Sequence, residues 1–342
     1  MIKLSVIIAC RNELYIYNVI SSLLVDNDSS SFEIIIVDDD SFPAVNIGNM
    51  SILYPNVRVI RNIPQRGVGY CFDIGVREAK GETVVLMGGD VLPKDYTWYE
   101  KSLQYTKSYN DSIGCSCCLS LDPDHIDPYY PANDIKRYGS RLLPFVTTED
   151  LPSDSPILDT KNYIVDCFQG KWFKGVPEEE VTEVPCLMGA FYVTTKQWYL
   201  HINGWDMLHR YWGGLEAWIS LKTWLYGGKI HVIKLLETGH IFEKKNKNDP
   251  DYHSSNGRKD WYWFNKICVS YTLLPQKDAD RLLSKIYNSL CKYELYTLPF
   301  NKGKYLAKEY WEKIMNVKRT NEVNIIYDFD WFCNKFNIIK NF

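Results

Sequence analysis

Four runs of β-branched residues, each delivering polar or acidic residues at its end, constrain this chain more than any other feature. They are Lys3 to Ala9 (KLSVIIA), Phe32 to Val37 (FEIIIV), Asn56 to Arg61 (NVRVIR) and Glu82 to Met87 (ETVVLM). Near-continuous apolar runs of this length read as strands buried on both faces of a parallel sheet. Leu14 to Leu24 and Val68 to Ala79 carry amphipathic helical spacing between them, and Lys80-Gly81 closes the second. Strands alternating with helices predict right-handed βαβ units and a Rossmann-like α/β fold, with a mostly parallel sheet flanked by helices. Ligands of such sheets bind outside the carboxyl ends of the strands. Asp38-Asp39-Asp40 and Gly88-Gly89-Asp90 stand at two of those ends, and Arg11-Asn12-Glu13 follows a third.

Further along, residues 120–183 are rich in Pro, Asp and Tyr, which predicts an irregular lid or acceptor-binding segment. Pro185 to Thr194 and Lys229 to Leu235 return to strand character, and Trp212 to Tyr226 reads as a helix. From Asn246 the pattern changes to dense Lys and Asn, then to short amphipathic helices. The expected organisation is a catalytic domain over 1–245 and a helical C-terminal extension over 246–342.

Composition narrows the function. A net charge of −3 argues against binding nucleic acid mainly through phosphates. No apolar run reaches the roughly 18 residues of a membrane span, and the first residues read as a strand rather than a signal peptide. The expectation is a cytoplasmic protein with reduced thiols. Among its ten cysteines, Cys115, Cys117 and Cys118 cluster, but no repeated C-x-x-C pair supports a structural zinc site.

The stretches SVIIACRNE (5–13), EIIIVDDDS (33–41), RGVGYCFDIGVREAKGE (66–82), VLMGGDVLP (85–93), CLMGAFYVT (186–194), NGWD (203–206), WGGLEAWISLKTWLYGG (212–228) and ETGHIF (237–242) occur in one order. In that order they resemble family-2-like GT-A glycosyltransferases, most closely the polypeptide N-acetylgalactosaminyltransferases. The resemblance covers about residues 1–242, and nothing in the extension is similar to that family's lectin domain.

The resemblance implies a GT-A fold, a UDP-sugar donor (GalNAc, GlcNAc, Gal or Glc) and transfer to a hydroxyl on a saccharide or peptide acceptor. A departing diphosphate needs charge neutralisation, commonly by a metal held on carboxylates. Related sequences carry an acidic pair after the fourth strand; here the first position is Gly88 and the second Asp90. His240 matches the family's metal-ligand histidine, so Asp90 and His240 form a mixed oxygen and nitrogen site suited to Mn2+ or Mg2+. Asp39 is expected to read the nucleobase, with Asp38 or Asp40 as substitutes, and Arg11 and Glu13 on nucleoside or ribose. Arg66 is placed on phosphate or on Asp39 itself. Asp73 stands where similar sequences often carry Asn, and is assigned to the donor site. Trp212, Gly213 and Gly214 are expected as a close-approach wall beside the donor sugar. Glu216 is the catalytic candidate, at the position where inverting relatives keep their general base; retention stays open. Trp205 and Asp206 are expected near donor or acceptor, or equally in a packing role.

Two other readings stand beside this one. Lys244, Lys245, Lys247, Arg258 and Lys259 surround Trp261, Tyr262 and Trp263, a mixture suited to a flipped or single-stranded base, so a hydroxylated base in DNA is an alternative acceptor. The Gly88 departure and the Leu215-Glu216 pair also suit a non-catalytic sugar-nucleotide or glycan-binding module. A sugar-nucleotide-forming nucleotidyltransferase is disfavoured, because SVIIACRNE is not a Gly-rich phosphate loop.

Overall fold

The computed structural model describes residues 1–25, 27, 30–48, 50–94, 96–126, 136–147, 165–242, 259–291 and 293–342. The predicted strands and helices form where the apolar periodicity places them: β1 (Leu4–Cys10), α1 (Ile16–Leu24), β2 (Phe32–Asp39), β3 (Val57–Asn62), α3 (Val68–Glu78) and β4 (Thr83–Gly88). A short helix, α2 (Met50–Leu53), precedes β3. Strands β3, β2, β1 and β4 lie side by side and parallel, with Val6 opposite Ile34 and Val85. All seven residues of β1 and all eight of β2 are buried, so continuous Val and Ile runs are covered on both faces.

Beyond β4 the sheet changes direction. Strand β10 (Phe191–Thr195) is antiparallel to β4 and to β6 (Ser112–Ser120), and β11 (Lys229–His240) is parallel to β6. Strand β5 (Val91–Pro93) pairs antiparallel with β11, and β9 (Val181–Glu183) also joins β11. Helix α4 (Trp98–Ser108) leads into β6, α5 (Lys196–His201) follows β10, and α6 (Leu215–Leu225) precedes β11.

One expectation needs correction. The 120–183 segment is not wholly irregular: β7 (Arg137–Thr147) and β8 (Val165–Lys174) pair antiparallel through nearly their full length. Pro, Asp and Tyr obscured them because β8 is half-exposed towards its end and lacks a clean alternation. Residues 127–135 and 148–164 of that segment lie outside the described residues. The expected helical C-terminal extension is present. Its helices are α7 (Lys259–Leu273), α8 (Gln276–Leu290), α9 (Glu294–Glu309), α10 (Trp311–Asn324) and α11 (Phe329–Lys335). Trp263, Phe264 and Ile267 share one apolar cluster with Trp218 and Leu221 of α6 and with Tyr192 and Val232 of the sheet.

The cysteine cluster falls inside β6, where Cys115, Cys117 and Cys118 are buried. Burial pushes all three thiols up to about 12, so they pack as small apolar side chains rather than thiolate ligands.

A candidate donor cleft at the strand ends

A cleft of about 530 Å³ opens where β1, β2 and β4 end. Arg11, Glu13, Asp39, Asp90, Trp212, Glu216 and His240, drawn from distant parts of the sequence, line it together. This is the carboxyl edge of the parallel strands, at the point where the sheet reverses direction.

Asp39 anchors one end. Its Oδ1 accepts from Arg66 N at 2.8 Å and Asn62 Nδ2 at 2.6 Å, and its Oδ2 accepts from Gly67 N at 2.7 Å. The buried Cys71 thiol also bonds this carboxylate. A carboxylate offers about four acceptor positions, so the 62–67 turn and Cys71 engage Asp39 closely. Gly67 is required there: a Cβ would lie 2.0 Å from Tyr211 N, and φ is +106°. The turn is tied onward by Tyr211 N donating to Arg66 O at 2.8 Å. Arg66 therefore meets Asp39 through its backbone, while its guanidinium lies 5.9 Å from the Tyr70 ring centre. The Arg11 guanidinium donates to the carbonyls of Asp39 and Asp40 at 3.2 and 2.9 Å. Asp38 is turned away from the cleft and paired with Arg61 at 2.6 Å.

Asp90 and His240 meet because β5 and β11 pair. His240 lies opposite Val91, and Ile241 N donates to Asp90 O at 3.1 Å. Asp90 Oδ1 stands 3.5 Å from His240 Nε2, with both side chains less than a fifth exposed. A carboxylate and an imidazole facing one cleft fit a divalent cation that takes its remaining ligands from phosphate oxygens and water. Among the described residues no cluster of three or more His, Cys, Asp or Glu stands together. The Gly88 departure has a steric side: a Cβ at 88 would lie 2.5 Å from Asp90 Oδ1. The missing side chain gives Asp90 the space it occupies.

Glu216 sits in the first turn of α6, at the cleft floor. The helix N-terminus favours a carboxylate there. The Tyr192 hydroxyl donates to its Oε1 at 3.3 Å. Burial pushes the Glu216 carboxyl above the usual carboxylate range; Tyr192, Lys266 and His240 pull it partly back.

The remaining predicted residues lie elsewhere. Asp73 does not line the cleft. Its fully buried carboxylate accepts from Tyr199 Oη at 2.7 Å, Trp205 N at 3.0 Å and Met207 N at 2.8 Å, and burial raises it to about 6. It is a brace for the 203–207 turn rather than a donor contact. Trp205 is also buried; its indole donates to Leu215 O at 2.8 Å and supports the start of α6 from behind. Asp206 is buried against Lys222 of α6, so neither residue faces a substrate. Gly213 has φ of +100°, but the atom its Cβ would strike is Tyr262 Cδ2 at 2.1 Å. The close approach at this glycine is to Tyr262 of helix α7. Gly214 faces Lys266 at ordinary contact distance. Trp212 is 52% exposed at the cleft rim and stacks on Tyr262 with centroids 6.0 Å apart. Trp261 lies behind the rim, against Tyr211, Phe264 and Tyr310. Tyr262 and Trp263 are buried, which removes the stacking platform a nucleic-acid base would need. Lys244, Lys245, Lys247 and Arg258 lie outside the described residues.

Sequence reading missed Tyr192, Gln65, Tyr211 and Phe242, all of which line the cleft. Tyr192 alone carried a signal, as a polar-tipped residue in the CLMGAFYVT stretch.

Comparison with known proteins agrees with this geometry. Residues 5–148 match the family model described as glycosyl transferase family 2. Polypeptide N-acetylgalactosaminyltransferase 5 of Rattus norvegicus is 22% identical over 225 residues, 63% of this chain and 22% of that protein. Human polypeptide N-acetylgalactosaminyltransferase 14 is 22% identical over 213 residues, 62% of this chain and 35% of that protein. The chain thus spans about a third or less of the length of these curated relatives. Among solved structures, GalNAc-T7 with UDP, GalNAc and Mn2+ superposes with a TM-score of 0.65 at 16% identity, covering 98% of this chain and 57% of that one. S. aureus TarS 1-349 with UDP-GlcNAc gives 0.51 at 12% identity, covering 100% and 94%. The likeness to GT-A glycosyltransferases, and among them to the N-acetylgalactosaminyltransferase catalytic domains, is borne out, and with it the α/β fold. No helix among the described residues is long and apolar enough to cross a membrane.

Proposed function

We propose that this chain, similar over its strand-end cleft to GT-A glycosyltransferases, transfers a sugar from a UDP-sugar to an acceptor hydroxyl with Glu216 as general base. The observation that carries the reading is the convergence of Glu216, Asp90, His240 and the Asp39-braced turn on one cleft. The relatives' names and the UDP, GalNAc and UDP-GlcNAc bound in the two superposed structures support a UDP-N-acetylhexosamine as donor and a peptide or saccharide as acceptor.

The nucleoside end of the donor lies beside Arg11 and the 65–67 turn, and the diphosphate beside Asp90 and His240. A divalent cation held there, Mn2+ or Mg2+, supplies charge neutralisation for the departing diphosphate. The bond between the anomeric carbon and the β-phosphate oxygen breaks, and its electron pair leaves with UDP. The acceptor oxygen bonds the anomeric carbon, and its proton passes to Glu216. A carboxyl raised by burial is better matched to taking a proton near neutral pH than an exposed one. The Tyr192 hydroxyl fixes the carboxylate's orientation.

The test is UDP release from a panel of UDP-sugars, with and without manganese, on wild type and Glu216→Gln. Turnover should require the metal and fall about 10²- to 10⁴-fold in the variant, with UDP binding kept. In wild type kcat/KM should rise with pH through a value above the ordinary carboxylate range, and the product should carry an inverted anomeric carbon. A retained anomeric carbon would remove the base role. UDP binding without turnover of any donor would leave a sugar-nucleotide-binding module in its place.

A further inference from the structure

We infer that Asn265, on a helix beyond the stretch whose sequence resembles known transferases, is a positioning residue for the loop that presents Trp212 and Glu216. The inference rests on the transferase reading for its kinetic part and on geometry alone for the rest.

Residues 209–214 form a loop that cannot satisfy itself. Tyr211, Gly213 and Gly214 all have positive φ, at +52°, +100° and +73°. A non-glycine residue such as Tyr211 held in that region is strained and persists only where its surroundings impose it. Left-handed residues in succession also break the regular backbone ladder, so the loop's carbonyls need outside donors.

One face of α7 supplies them. Tyr262, Asn265 and Lys266 stand at i, i+3 and i+4 and so share a side of the helix. Asn265 is fully buried, and its whole amide is spent on the loop. Its Oδ1 accepts from Arg210 N at 2.9 Å. Its Nδ2 donates to Arg210 O at 2.7 Å, Gly213 O at 3.1 Å and Trp212 O at 3.3 Å. The Tyr262 ring fills the space that a side chain at Gly213 would take. Lys266 is anchored on Cys167 O at 2.5 Å and Phe168 O at 3.2 Å, with Asp166 3.6 Å away, which fixes the helix against β8. On the other side, His209 Nε2 lies 3.1 Å from Gly213 O, and burial pushes this histidine down to about 3, so the ring is neutral. The loop is therefore gripped between α7 and His209, and it runs directly into the first turn of α6, where Glu216 stands.

A carboxylate misplaced by about 1 Å can cost on the order of 10²-fold in rate. Asn265→Ala should lower kcat by about that factor, and the Kd for UDP should change several-fold less than kcat, because the 66–67 turn keeps its own bonds to Asp39 although Tyr211 joins it to the loop. Asn265→Asp keeps the size and the acceptor for Arg210 N but loses the donors; it should fall between the two, and it carries the test if the alanine variant does not fold. Thr272→Ala, on the same helix, removes a hydroxyl that donates to Cys268 O and is the control for general destabilisation. Hydrogen exchange read by mass spectrometry should show faster exchange confined to residues 209–216 in both Asn265 variants. Unchanged kcat, or unchanged exchange across 209–216, would overturn the inference. If wild type turns over no donor, the function reading fails by itself, and the exchange measurement still decides the role of Asn265.

Discussion

Asp39→Asn separates two roles for the acidic run at the end of β2. The sequence assigns Asp39 to the nucleobase; the structure gives it the 62–67 turn to hold. The substitution keeps shape and removes charge. If the amide oxygen takes the place of Oδ1, the bonds from Arg66 N and Asn62 Nδ2 survive in weakened form, and the amide NH2 is forced against Gly67 N. A hydrogen bond to a charged group contributes about 1.5–3 kcal/mol, and a buried donor left without an acceptor costs a further 1–3 kcal/mol or so. The reverse amide orientation loses two bonds instead of one. The expected destabilisation is therefore about 3–5 kcal/mol. Urea unfolding followed by fluorescence and circular dichroism measures it, and UDP titration calorimetry on the same samples measures the donor end. UDP affinity should fall about tenfold, the equivalent of about 1.4 kcal/mol, as the turn relaxes. A variant within about 0.5 kcal/mol of wild type would refute the bracing argument, since none of the three bonds would then hold the turn. Lost stability with unchanged UDP affinity would confine Asp39 to the scaffold.

Two further outcomes follow from distances already given. Gly88→Asp restores the acidic pair of related sequences, yet its Cβ would lie 2.5 Å from Asp90 Oδ1. It should raise the manganese concentration needed for half-maximal turnover, and a lowered requirement would show that Asp90 has room to share. Asp73 binds its proton more tightly in the folded chain, at about 6 against an ordinary 3.8. Its contribution to stability is present below 3.8 and lost as pH rises through about 6, a change of about 3 kcal/mol. Comparing unfolding free energies of wild type and Asp73→Asn from pH 4 to 7.5 should show wild type losing ground to the variant; parallel profiles would contradict the burial argument.

The parallel half of the sheet was legible because β1, β2 and β4 are buried on both faces and spell it out in Val and Ile. Strand β6 was not, because SIGCSCCLS fills its buried positions with small residues that no periodicity reveals. The cleft residues Arg11, Glu13, Asp39, Asp90, Trp212, Glu216 and His240 were found from ordered stretches and do come together. Asp73, Trp205 and Asp206 were placed in the site by their neighbours in sequence, but burial turned them inward. Gly213 was read as a close-approach glycine, and the protein neighbour that approaches it, Tyr262 of α7, was not foreseen. A residue such as Asn265 leaves no trace in sequence: a buried amide in an aromatic helix becomes meaningful only when the loop carbonyls it meets are known.

The position of that helix along the chain has a consequence for biosynthesis. A ribosome polymerises the named cleft residues, Arg11 to His240, before it reaches residue 259. Until α7 is made, the 209–214 loop lacks the Asn265 amide and the Tyr262 ring that hold it. The apolar cluster under the sheet and α6 likewise lacks Trp263, Phe264 and Ile267. On the proposed function, catalytic competence would arrive last, with the closing helices, and a truncated translation product would lack it.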